Sequence, residues 1–93
     1  MRLTQQETDN IKSVVLQNDP DAQIYLFGSR ADDDKKGGDI DLLIFSHVLT
    51  ETDKRKIRLK LFDKLGEQRI DIIIAQDLSQ PFVRIAYEEG VAL

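Results

Sequence analysis

Asp39 and Asp41 open an apolar run, DIDLLIF over 39–45, and their spacing could do chemistry. Successive residues of a strand point to opposite faces, so a strand here would put both carboxylates on one side and Ile40, Leu42 and Ile44 on the other. Carboxylates at that spacing can hold a hard divalent cation, since Mg²⁺ takes carboxylate oxygens and is commonly shared with a substrate phosphate. Upstream, the apolar stretch ending at Phe27 gives way to Gly28-Ser29, a turn with no side chain in the way and then a hydroxyl, which suits a phosphate. Downstream, RIDIIIA over 69–75 repeats the theme, with Asp71 as its single acid and Ile70, Ile72 and Ile74 on the opposite face. An ionised carboxylate near a sheet interior is costly unless it is paired or bound to metal. Asp39, Asp41 and Asp71 are therefore the candidate metal ligands, and Gly28, Ser29 and Arg30 the candidate phosphate-binding residues. A plainer reading stands beside each: acids at surface strand starts, an ordinary turn with a helix cap at Ser29, a solvated Arg30.

The elements that would position these residues can be read in order. Thr4 and Glu7 have capping-box spacing and Ile11, Val14 and Val15 fall on one face, predicting a helix over about 4–17 that ends at Asn18-Asp19-Pro20. A strand follows over 23–27. Ser29 can cap a short helix with Asp32 to Asp34 early, Lys35 and Lys36 late, and Gly37-Gly38 as the stop, and a phosphate at its N-terminus would meet free amides. After the second strand, Thr50 and Asp53 start a helix to about Leu65 whose buried stripe should be Ile57, Leu61, Phe62 and Leu65, with Gly66 as the stop. The third strand is 69–75, and Ser79-Gln80-Pro81 begins a last helix to Glu89 with Gly90 as its C′ residue. The order is αβαβαβα, an α/β (α+β) domain with a three-stranded mixed sheet. Ser29 at the end of the first strand and Asp39 and Asp71 at the starts of the next two meet only if strand two is antiparallel to one and parallel to three. The crossover through 50–65 should be right-handed. Ile24, Leu26, Ile40, Leu42, Ile44, Ile70, Ile72 and Ile74 should then face the helices and leave the acidic face open.

A chain of 93 residues is expected to form a single domain over 1–93, with no room for a second, substrate-binding one. It contains no cysteine, so disulfides and thiolate metal sites are excluded. No apolar run approaches the ~20 residues of a membrane span and no signal-peptide core is visible, so a soluble, cytoplasmic protein without a membrane partner is expected. The net charge of −4 argues against direct nucleic-acid binding. Against that balance, 54–64 carries six basic side chains and one acid, Asp63. That run reads as a surface for a polyanion or an acidic partner, or as a solvated helix face whose stems cover apolar surface. Tyr25 and Tyr87 read as packing residues and His47 as loop decoration.

Gly28-Ser29, the nine residues Arg30 to Gly38, then Asp39-x-Asp41 and a later single Asp71 together resemble the signature of the DNA polymerase β-like nucleotidyltransferase superfamily. The likeness runs from the helix before Ile24 to Glu88-Glu89-Gly90, and the spacer is one residue shorter than in many members. The short length is similar to the minimal nucleotidyltransferase (MNT) branch, antitoxins paired with HEPN toxins. The resemblance implies two Mg²⁺ ions about 3.5–4 Å apart, held by Asp39, Asp41 and Asp71, that activate an acceptor hydroxyl and stabilise the leaving pyrophosphate of a nucleoside triphosphate. It further implies ATP as substrate and adenylylation of a tyrosine on a HEPN-family ribonuclease. A non-catalytic antitoxin that occludes its partner and an antibiotic-type, small-molecule nucleotidyltransferase are the competing expectations. Oligomeric state is left open between a homodimer and a hetero-oligomer with the partner.

Overall fold

The computed structural model describes residues 2–31, 38–66 and 68–93. Two capping boxes set the starts of its longer helices. In α1, Gln5–Asn18, the Thr4 hydroxyl accepts from the Glu7 amide and the Glu7 carboxylate accepts from the Thr4 amide, each at 3.0 Å. Two orphan donors of the first turn are thereby satisfied. α2, Glu51–Leu65, repeats the device with Thr50 and Asp53 and stops at Gly66, whose φ of +86° only glycine adopts readily. α3, Pro81–Glu89, has no side-chain cap and starts on Pro81, whose fixed φ suits a first helical position.

The strands are β1, Gln23–Phe27, β2, Ile40–Phe45, β3, Ile70–Ala75, and β4, Val91–Ala92, in the order β3-β2-β1-β4. β2 runs antiparallel to β1 and parallel to β3, as the convergence of Ser29, Asp39 and Asp71 requires. β4 corrects the expected three-stranded sheet. Beyond Gly90 the chain lies antiparallel along β1, with Ala92 opposite Tyr25 and Val91 opposite Leu26, and the Leu93 amide donates to the Ile24 carbonyl at 3.0 Å. Gly90 permits the return because a Cβ there would come within 2.9 Å of the Ala86 carbonyl oxygen. Its φ of −78° is not left-handed, so space rather than backbone freedom explains this glycine.

On one face of the sheet Ile24, Leu26, Ile40, Leu42, Ile44, Ile70 and Ile72 are buried against Ile11, Val14 and Val15 of α1 and Ile57 and Leu61 of α2, with Ile74 partly buried beside them. The expected α2 stripe is corrected at Phe62, which is 48% exposed. It lies about 100° around the helix from Leu61 and so projects past the β3 edge, where the sheet ends. The other face is not wholly open, as the sequence suggests it would be. Leu43 is fully buried there, giving Val83 and Ala86 of α3 a seat among Tyr25, Phe27, Phe45, Ile73 and Ala75. The uncovered end of that face carries Asp39, Asp41 and Asp71, exposed or half-buried. A 3₁₀ turn spans Gly28–Ala31, and the rest of the short helix expected there, from Asp32 to Gly37, lies outside the described residues. No described helix is long and apolar enough to cross a membrane.

Candidate active site

The sheet register builds the site. Phe27 pairs with Asp41, and Asp41 pairs with Asp71, so the exit of β1 and the two carboxylates form a row across three strands. At that exit Gly28 takes φ +73°, and a Cβ on it would run into the Asp41 carboxylate. The turn and the acid are thus in close contact, and any side chain at position 28 would push the Asp41 carboxylate aside. Asp39 lies exposed just before β2, and Ser29 is partly buried in the turn.

Burial pushes the Asp41 carboxyl above its ordinary value of 3.8, and the neighbouring charges of Asp71 and Asp39 push the same way, against the pull of Arg69. Like charges this close oppose simultaneous ionisation. Arg69 partly relieves the crowding: its Nε stands 3.5 Å from an Asp71 carboxylate oxygen in a well-exposed ion pair.

A family model for the nucleotidyltransferase domain matches residues 8–93. The chain belongs to that family. No curated protein matches it. Nucleotidyl transfer is accordingly the general activity of this nucleotidyltransferase domain, with a nucleoside triphosphate as donor.

The donor set of this nucleotidyltransferase fits a hard divalent cation: carboxylate oxygens from adjacent strands, those of Asp41 seated against the Gly28 turn. Asp41 and Asp71 would hold such an ion, which would supply charge neutralisation at a phosphate and a lowered pKa for a bound hydroxyl. Among the described residues no group of three carboxylate or imidazole side chains is gathered closely enough to hold a metal. Asp39 is therefore felt by Asp41 as a charge without completing a closed three-carboxylate cluster.

Arg30 of the nucleotidyltransferase occupies a place the sequence does not announce. Its guanidinium donates to the Arg2 carbonyl at 2.9 Å, the Gly38 carbonyl at 3.2 Å and the Gln68 side-chain oxygen at 2.8 Å. Arg2 answers with its guanidinium on the Ser29 carbonyl at 3.1 Å and its amide on the Arg30 carbonyl at 2.8 Å. Gln68 donates in turn to Glu7 at 3.2 Å and to the Leu65 carbonyl at 2.8 Å. Together these bonds tie the N-terminal segment, the Gly28–Ala31 turn, the approach to β2 and the end of α2 into one brace behind the site. Arg2, Glu7 and Gln68 are missed by sequence reasoning because no spacing rule joins residues so far apart.

A groove of about 580 Å³ lies at the opposite end of the sheet of the nucleotidyltransferase and is lined in part by Asp19, Tyr25, Phe45, His47 and Tyr87. Volume alone would place a ligand there, but the paired carboxylates and the glycine turn that make up the candidate site lie elsewhere. Tyr25, Phe45 and Tyr87 pack edge to face with centroids 5.1–5.9 Å apart, as packing residues do. Asp19 and Ser46 are buried beside them, joined by a 2.6 Å hydrogen bond from the Ser46 hydroxyl.

Proposed function

We propose that this chain moves AMP from Mg²⁺-ATP onto a hydroxyl carried by another macromolecule, a tyrosine of a HEPN-family ribonuclease being the acceptor that the resemblance implies, and so acts as an antitoxin. The observation that carries the reading is the pairing of Asp41 with Asp71, with Asp41 lodged against the Gly28 turn, which sets two acids beside the turn and hydroxyl that the resemblance assigns to the triphosphate. In this reading Ser29 and the amides after it hold the triphosphate, Asp39 joins Asp41 in binding metal when nucleotide is present, and Asp71 takes the proton of the attacking hydroxyl. The hydroxyl oxygen bonds to the α-phosphorus as the bond to the bridging oxygen breaks, and pyrophosphate leaves. Adding a phosphate ester to a ribonuclease near its active site places negative charge where RNA phosphates bind.

The test is incubation with Mg²⁺, ATP and a co-expressed HEPN-family ribonuclease, followed by intact mass. An AMP-sized addition that disappears with Asp39→Asn and Asp41→Asn supports transfer. A second reading, neutralisation by occlusion alone, is favoured by one observation: Arg69 already occupies an oxygen of Asp71. Full neutralisation with no mass change would select it.

A further inference from the structure

The edge of β3 is the least finished part of the molecule. β3 ends the sheet, and on its outer side no strand pairs with it among the described residues. An unpaired edge presents a row of amides and carbonyls that another chain can complete. Alongside runs a groove of about 340 Å³ lined by Arg58, Leu59, Phe62, Arg69 and Asp71, together with Gln68 and Ile70. It starts on α2 and ends at the candidate catalytic carboxylate.

Arg55, Arg58, Leu59 and Phe62 stand at i, i+3, i+4 and i+7, so they form one stripe on α2. Within it Leu59 is 60% exposed and Phe62 48% exposed, two large apolar groups set between guanidinium groups. Lys54, Lys56, Lys60 and Lys64 extend the positive field along the same helix.

We propose that this groove and the β3 edge dock an acidic, extended segment of a protein partner, which adds as a strand beside β3 and delivers its acceptor hydroxyl to Asp71. Each part of the surface argues for that occupant. The edge amides and carbonyls match a main chain, Leu59 and Phe62 match alternate apolar side chains, and Arg58 and Arg69 match carboxylates. Arg69 is placed to exchange its ion pair with Asp71 for one with the incoming segment, which uncovers Asp71. A nucleic acid fits less well, because apolar groups lie at the groove's middle, Asp71 closes its end, and the whole chain is net negative at −4. The inference rests on the transfer reading, for which it supplies the acceptor's route.

The experiment uses the full chain and a fluorescently labelled synthetic peptide of alternating glutamate and valine with one central tyrosine. Anisotropy should show binding that weakens as salt rises, and hydrogen exchange should slow at the amides of 70–75. Arg58→Glu and, separately, Leu59→Glu should each weaken binding by on the order of tenfold, while both variants keep the Mg²⁺-ATP-induced rise in Tm. A lysine-for-glutamate peptide should not bind. No peptide binding, binding insensitive to both variants, or preferential capture of a single-stranded oligonucleotide would each overturn the docking proposal while leaving the nucleotide-induced Tm shift intact. Loss of that Tm shift in the wild-type chain, with peptide binding retained, would instead sink the transfer reading.

Discussion

A methyl group on Gly28 would displace the carboxylate of Asp41 from the position it holds against the turn. The glycine is needed twice, for its φ of +73° and for the space its hydrogen leaves. Gly28→Ala is expected to destabilise the fold by about 1–3 kcal/mol, combining left-handed strain with displacement of the acid. Gly28→Val, branched at Cβ, should cost more. Urea denaturation of the two variants checks the ranking, and equal stability of Gly28→Ala and wild type would remove the close contact from the account.

Asp41 should make the ligand-free protein less stable as pH rises. Its folded pKa lies above 3.8 because of burial and the charges of Asp71 and Asp39. The unfolded chain therefore releases the proton first, and stability falls from about 3.8 upward through the folded pKa. Asp41→Asn removes this loss, so its Tm should exceed that of wild type near neutral pH and the gap should close below 3.8. Mg²⁺-ATP should reverse the order, raising the Tm of wild type by mass action and leaving Asp41→Asn unmoved.

Glu7 has the opposite sign. Burial works against its ionisation, but hydrogen bonds from the Thr4 backbone, Gln68 and the Thr4 hydroxyl outweigh it, with help from Arg30, and its pKa falls below 4.5. This contribution is present above 4.5 and disappears as pH falls through the folded pKa. Glu7→Gln should flatten the acid limb of the stability curve. If the difference curve between wild type and Glu7→Gln is level from neutral pH to pH 3, the brace does not depend on that charge.

Ser46 holds three partners at once: its hydroxyl donates to Asp19 at 2.6 Å and accepts from the amides of Val48 at 3.1 Å and Leu49 at 3.0 Å. Ser46→Ala would leave a buried carboxylate and two amides short of a partner, at about 1–3 kcal/mol. The substitution is far from the aspartates, so nucleotide transfer per folded molecule should be unchanged. Denaturant titration beside a transfer assay separates the two effects.

What the sequence determined by itself was local or periodic. Thr4 with Glu7 and Thr50 with Asp53 begin helices because the cap bonds close within one turn. Alternation along β2 and β3 assigns Ile40, Leu42, Ile70 and Ile72 to the core and puts Asp41 and Asp71 on the same face. The demand that Ser29, Asp39 and Asp71 converge was enough to orient three strands. Tertiary structure decided the rest, wherever the partner is distant in the chain. β4 has two residues, too few for a period, and exists because Gly90 lets the chain return along β1. Leu43 looks like any strand residue on the acidic face until α3 covers it, and Phe62 looks like core until the sheet edge falls short of it. Arg30 reads as a charge beside a phosphate loop, yet its hydrogen bonds reach Arg2, Gly38 and Gln68 because the fold brings three separated segments behind one turn.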